Sequence, residues 1–493
     1  MAHTHRQASG SRPLGLATRV NFGIGSATES AFYIAFNVFC FFYYVQLLGL
    51  PAGLAGLAVS IALIFDAFSD PLIGYMSDRW KSARWGRRHP FMLIAAVPMM
   101  LSWIALFMPP EGLSEWQLFL WLTVFTIAAR VIQTVFYVPH IAMGGELVDS
   151  YSQRSRVFIW HILFLWAGGA AVHYFGLRYF FPTTAEGANG MLVSDNYFYF
   201  GIIWGVVIAA LMLISALGTV SRIPYLKEQP ATRTLDTKKL SLSLHLQELV
   251  VEFKEILTNR NFLLVGLGLL AQATGAGIYE TLLSHFNTYI WQFSTEQYSM
   301  LVYPSMLGFL IGFVCAVPLH SYLGKHTVLA VSTIGMGLAH VGAPTLYLTG
   351  FPLEPGSNQV LYLILASAAL YYTAQSLMLV SVVSIIGDIA DEHELNTGKR
   401  REGILYSSRT LFAKTSSAFG HLIAGLLLTI ISFPTGKDAV PGSIPQQILD
   451  QLVTFYVLFI PLPYLIAGYL YSKYTLTEKR HQEILTALDT RKQ

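Results

Sequence analysis

Asp66 and Asp70 lie four residues apart at the end of an apolar run long enough to enter a bilayer. A helix places residues at that spacing on one face, so both carboxylates project the same way. A charged side chain in hydrocarbon is costly, and by default it marks an ion or substrate path. Such a pair can hold a monovalent cation such as Na+ between its oxygens, or share one proton. Ser69 stands between them as a polar neighbour. The structural alternative is a pair neutralised by Lys414 or by the arginine-rich loop that follows. Two buried charges on one face are harder to explain that way.

Further ionisable residues fall inside apolar segments. Lys414 lies in the eleventh segment and is expected to pair with Asp66 or Asp70 when no cation is bound. Arg409, in the same segment, reads equally well as snorkelling to an interface. Arg130 lies near the middle of the fourth segment, and Gln133 and Tyr137 continue its face at i+3 and i+7. With Glu29 of the first segment they would line a polar patch; the alternative is a buried Glu29–Arg130 pair. Glu280 follows Thr274-Gly-Ala-Gly277. Those glycines either let the helix bend during a transport cycle or pack it closely. Trp160, His161, Tyr279 and Trp291 are able to stack on a sugar ring, although packing is the commoner role for any one aromatic. Glu29, Arg130, Gln133, Tyr137, His161, Glu280 and Lys414 form the candidate substrate set.

The elements that position these residues are membrane helices. Of 493 residues, 54% are hydrophobic and 12% charged, with a mean hydropathy of +0.51. A soluble protein carries about 25% charged residues. A span needs about 20 mainly apolar residues. Twelve candidates occur, at roughly 22–48, 52–76, 90–109, 116–143, 156–178, 198–221, 261–291, 299–322, 326–348, 358–386, 404–432 and 449–473. The fold class is therefore an all-α polytopic membrane protein. Cys40 and Cys315 lie within apolar runs and are expected as free thiols.

Lys and Arg collect in alternate loops: the start of the chain, 78–88, Arg154 and Arg156, 227–239, Lys325, Lys399 to Arg401, and the end. The remaining loops carry mostly Glu and Asp. By the positive-inside rule both termini are cytoplasmic. The organisation expected is a tail at 1–20, a six-helix bundle at 21–221, a cytoplasmic linker at 222–260, a second bundle at 261–475 and a tail at 476–493. The first tail lacks the apolar core of a signal peptide. An amphipathic run near Leu240–Leu257 would lie on the membrane surface. A parallel repeat leaves a trace: Gly145-Glu146-x-x-Asp149 after the fourth span and Gly387-Asp388-x-x-Asp391 after the tenth, each with basic residues downstream. Asp78, Arg79, Arg87, Arg88, Glu146, Arg154, Asp388, Asp391, Arg400 and Arg401 read as gate pairs and topology anchors, not as ligands. No Walker loop, metal-spaced His/Cys set or nucleophile elbow is present, which leaves ATP-driven transport and catalysis without support.

Three blocks carry a resemblance. They are Asp66-Ala-Phe-Ser-Asp70-Pro-Leu-Ile-Gly74 with Ser77-Asp78-Arg79 and Trp85-Gly86-Arg87-Arg88; Pro139 to Leu147 with Arg154; and Asp391, Glu394-Leu395 and Thr397 to Gly403 with Lys414 beyond. In these the chain resembles the major facilitator superfamily, and within it the glycoside–pentoside–hexuronide:cation symporters, over about residues 20–475. The resemblance implies two six-helix bundles and a coupling cation, Na+ or H+, held by Asp66 and Asp70 with Ser69 assisting. It also implies that Lys414 and Thr410 lie beside that site, which adds Thr410 to the candidate substrate set. Positions that read sugar hydroxyls in the family's sugar porters differ here: Ser30, Tyr137, Ile141 and Ile162 occupy them.

The reading is a cation-coupled (Na+ or H+) secondary symporter for a sugar, glycoside or related organic solute, working by alternating access, with no cofactor and no metal other than Na+. A monomer in the cell membrane is expected, with no nucleic-acid partner. Two rivals stand beside it: a carrier of lysolipid-like amphiphiles, and a non-transporting receptor or scaffold of the same fold.

Overall fold

A computed structural model describes residues 14–80, 82, 84–148, 151–184, 189–226, 256–398, 402–436 and 439–492. Each of the twelve apolar runs is a helix. They are α1 (Leu16–Leu47), α2 (Ala52–Arg79), α3 (His89–Phe107), α4 (Glu115–Glu146), α5 (Ser155–Phe180), α6 (Ser194–Pro224), α7 (Arg260–Ile290), α8 (Thr295–Leu323), α9 (Lys325–Leu348), α10 (Asn358–Thr397), α11 (Glu402–Ile430) and α12 (Gln446–Ser472). In hydrocarbon every backbone polar group needs an internal partner, which the helix supplies. Local signals set the ends. Ser114 and Gln117 form a capping box at the start of α4, and Asn259 and Ser357 cap α7 and α10. The tight turn between α8 and α9 needs Gly324, whose φ is +80°.

The helices form two halves with one packing scheme. In the first, α1 lies on α5 and α6, α2 on α4, and α3 on α4 and α6. In the second, α7 lies on α11 and α12, α8 on α10, and α9 on α10 and α12. Adding six to each label in the first scheme gives the second, so the repeat traced by two short motifs extends to the whole fold. The halves meet mainly where α2 packs on α11.

Two expectations need correction. The Gly387–Asp391 motif does not follow the tenth span: α10 runs on through it to Thr397. No glycine or proline interrupts Asp388 to Thr397, and the helix stops at Gly398, whose φ is +74°. The final segment is also not a bare tail. A helix α13 (Glu478–Lys492) buries Ile484 and Leu488 and packs along the end of α10. Most of the 222–260 linker, including the amphipathic run up to residue 255, lies outside the described residues.

The glycines before Glu280 do not break α7, which is continuous from Arg260 to His285. They pack it. A Cβ on Gly277 would meet the Ser417 carbonyl at 2.5 Å, and one on Gly275 would meet the Tyr464 ring at 2.8 Å. Close approach by small residues is the reading the structure favours.

Candidate functional site

Asp66 and Asp70 stand one turn apart on α2 and face both α4 and α11. On α4, Arg130 and Thr134 repeat the one-turn spacing. The two helices run in the same direction, so Arg130 lies beside Asp66 and Thr134 reaches both acids. The Thr134 hydroxyl is 2.9 Å from Asp66 Oδ1 and 3.0 Å from Asp70 Oδ1. Arg130 Nη1 lies 3.7 Å from Asp66 Oδ2. Its guanidinium is also 5.1 Å from the centre of the Phe36 ring and 5.8 Å from that of Phe32, within cation–π range.

The other half contributes Lys414 from α11. Its Nζ lies 2.9 Å from Asp66 Oδ2 and 2.7 Å from Asp70 Oδ2. An ammonium thus occupies the position between the two carboxylates that a monovalent cation would take. Asp66 is 6% exposed and lies deeper, whereas the Asp70 side chain is 26% exposed. Two carboxylates and two cations balance. A hydroxyl has a single proton to donate, so Thr134 can satisfy only one of its two carboxylate contacts as a donor. The second contact favours a proton or a bound cation on that carboxyl.

Thr134 was not picked out from the sequence. Its signal was there: it follows Arg130 at i+4, the spacing of the carboxylates it meets. Ser69, by contrast, gives its hydroxyl proton to the Asp66 carbonyl at 3.0 Å and does not point into the pair.

The other candidates divide into three groups. Glu29 accepts from the Tyr137 hydroxyl and keeps Oε2 without a protein partner. The buried Glu29–Arg130 pair weighed from sequence does not form, because Arg130 is held by Asp66. Gln133 donates to Thr28 at 3.5 Å. Glu280 faces the first half, where it accepts from the Tyr33 hydroxyl and from Asn37 Nδ2 at 3.2 Å. His161 is buried inside the first half. Its ring nitrogen bonds Ser26 at 2.5 Å, and its ring lies near those of Phe22, His140 and Tyr137. Trp291 is buried, and Tyr279 lies on His340 with ring centroids 4.0 Å apart. The side chain of Thr410 lies outside the described residues.

The helix ends that carry the basic loops hold compact ion clusters. Arg88 is 4% exposed and bonds Ser77 at 2.7 Å, Asp78 at 2.5 Å and Glu146 at 2.9 Å. Arg87 joins Glu146 at 2.8 Å, and Arg79 lies over Tyr75. In the other half Lys325 pairs with Asp388 at 2.7 Å, and His481 of α13 contacts Asp391 at 3.0 Å. These pairs each stay within one half. The Arg154 side chain, Arg400 and Arg401 lie outside the described residues.

Contacts across the halves concentrate at the opposite side of the membrane. There Gln46 bonds His285 at 2.9 Å, Ser284 bonds the Val38 carbonyl at 2.8 Å, and Thr183 bonds Glu296 at 2.6 Å. The backbones of α2 and α11 touch: a Cβ on Gly425 would lie 2.4 Å from the Ala52 carbonyl, and one on Gly56 would lie 2.7 Å from that of His421. The molecule is closed on that side.

Twelve spans in two repeated halves, with a charged site between them at mid-membrane, define a secondary membrane transporter of the major facilitator fold. The chain matches the MFS/sugar transport protein family over residues 21–478 and belongs to that family. It is a multi-pass transport protein and not an enzyme. It is 25% identical to the uncharacterized symporter sll1374 of Synechocystis, over 99% of each chain. It is 23% identical to a lactose permease of Lactobacillus delbrueckii subsp. bulgaricus, over 96% of this chain and 73% of the permease. Among solved structures, the inward-open xylose transporter XylE of Escherichia coli superposes with a TM-score of 0.57 at 14% identity, over 95% of this chain and 98% of that one.

Proposed function

We propose that the protein is a cation-coupled symporter for a sugar or glycoside, with the cation bound at Asp66 and Asp70 and the solute in the space between the halves. The observation that carries this reading is Lys414. It comes from one half and sits 2.7 to 2.9 Å from both acids of the other. A coupling ion, Na+ or H+, replaces it there. Release of Lys414 frees α11 from α2, and ion binding is thereby tied to the packing of the halves. A ligand can shift that equilibrium only by its differential affinity for the two states.

The basic side is cytoplasmic on this reading, and the described state is inward-facing. Glu29, Tyr33, Tyr137 and Glu280 face the space between the halves and offer acceptors and hydroxyls to a polyhydroxy solute. The basic-side clusters hold each half's helix ends together and serve as the inner gate.

The test is uptake into proteoliposomes across a panel of radiolabelled sugars and glycosides under imposed Na+ or H+ gradients. Accumulation of at least one solute against its gradient, driven by one ion, is expected. Uptake of every solute that ignores both gradients would remove the symport reading.

A further inference from the structure

The two positive charges at the carboxylate pair differ in kind. Arg130 belongs to the same half as the acids. It is 6% exposed and stands beside the buried rings of Phe32 and Phe36. Its guanidinium keeps its charge under all physiological conditions. Lys414 belongs to the other half, and its side chain is 26% exposed. Its ammonium sits on a flexible four-carbon stem. When the halves move apart along α2 and α11, Lys414 leaves with its own half and Arg130 stays.

The acids differ in the same sense. Asp66 carries the Arg130 contact and is the more buried; Asp70 lacks that contact and is the more exposed, while Lys414 and Thr134 reach both acids. With Lys414 gone and Glu29, the neighbouring carboxyl of the first half, in its neutral form, Asp66, Asp70 and Arg130 leave a net charge of −1. A buried uncompensated charge is strongly unfavourable, so that state calls for one positive charge and no more.

We infer that Arg130 is the resident counter-ion of Asp66, so that Lys414 exchanges for a single monovalent cation held mainly by Asp70. This rests on the symport reading and adds a role to it. Arg130 becomes a positioning residue that fixes how many cations the site takes, not a ligand for the solute. A second carboxylate is present without calling for a second ion.

The test uses the purified full-length protein and three cations as probes: Na+, Li+ and H+. Thermal unfolding is followed as each is varied, with choline holding the ionic strength. A ligand that binds only the folded state raises its stability, and the steepness of the response counts the ions bound. Wild type should respond to at least one probe with a slope of about one ion. Asp70→Asn should weaken the apparent affinity about 30-fold or more by removing the main ligand, and Asp66→Asn should weaken it comparably, because the unpaired Arg130 then neutralises Asp70. Arg130→Gln should raise the slope towards two ions, and Arg130→Gln with Asp66→Asn should return it to one. A salt bridge that served only for stability would change the midpoint and leave the slope alone. If Arg130→Gln does not fold, Arg130→Lys should keep a slope of one, and recovery of the response in Arg130→Gln with Asp66→Asn, compared with Asp66→Asn alone, decides. A wild-type affinity in Asp66→Asn, or an unchanged slope in Arg130→Gln, would overturn the assignment while leaving symport intact. A wild type that responds to none of the three ions would overturn both.

Discussion

Lys414 of α11 places its ammonium 2.7 Å from Asp70 of α2, and that contact ties the C-terminal half of the molecule to the N-terminal half at mid-membrane. The same nitrogen lies 2.9 Å from Asp66. On the symport reading, a single side chain would report to one half whether the acids of the other are occupied.

Lys414→Met removes this cation and leaves two carboxylates with Arg130 alone. Breaking a buried pair from one side costs roughly 3–5 kcal/mol, and the partial exposure of Lys414 should reduce this to about 2 kcal/mol. Adding Asp70→Asn should recover most of the loss, since the uncompensated charge goes with it. Thermal unfolding of the two variants in one detergent checks this; a double variant no more stable than Lys414→Met would contradict it.

Gly56 and Gly425 let α2 and α11 touch on the closed side. Alanine at Gly425 would drive a Cβ to 2.4 Å from a backbone carbonyl that cannot step aside. Gly425→Ala should open that side. Ser284→Cys, placed at a buried position of the same seam, should then react with an impermeant thiol reagent added there at least about 10-fold faster, which corresponds to a shift near 1.4 kcal/mol. An unchanged labelling rate would mean that the seam does not gate the cavity.

The Tyr33 hydroxyl and Asn37 hold Glu280 across the same seam. Tyr33→Phe removes one donor to a carboxylate, a loss of about 1.5–3 kcal/mol. Its effect on Ser284→Cys labelling should match that of Gly425→Ala in sign. Slower labelling in Tyr33→Phe would show that this bond does not favour closure.

Much of this was legible in the sequence. Apolar run lengths marked all twelve spans, because hydrocarbon imposes a length and forbids stray charge. The one-turn spacing of Asp66 and Asp70 and the lone Lys414 in α11 pointed to a charged site. What sequence did not disclose was partner choice. Sequence offers Glu29 as the partner of Arg130, and only the relative rotation of α1, α2 and α4 gives it Asp66 instead. Thr134 was passed over because a threonine in a span most often bonds its own helix, as Thr123 does to Phe119. His161 drew attention as an aromatic near a presumed cavity, yet the packing of α5 on α1 turns it inward to Ser26. The tenth apolar run ends at residue 386, where the composition turns acidic, but α10 continues to Thr397, because leaving an apolar run does not end a helix.

Arg88 and Arg79 differ sharply despite sharing one loop region. Arg88→Ala removes a buried guanidinium bonded to Ser77, Asp78 and Glu146, and should destabilise by roughly 3 kcal/mol. Arg79→Ala removes a cation–π contact over Tyr75 and should change stability by about 0.5–1 kcal/mol. Arg88→Lys should restore only part of the loss, because a lysine cannot reproduce the forked geometry. Equal midpoints for Arg88→Ala and Arg79→Ala in thermal unfolding would contradict the assignment of Arg88 as the centre of that cluster.

The central claim is that a cation at Asp66 and Asp70 drives the solute across. Its most direct test compares ion-gradient-driven accumulation with downhill counterflow of the same solute in proteoliposomes carrying wild type or Asp66→Asn/Asp70→Asn. Accumulation should vanish in the double variant while counterflow persists. Accumulation at the wild-type level with both carboxylates neutralised would contradict the account.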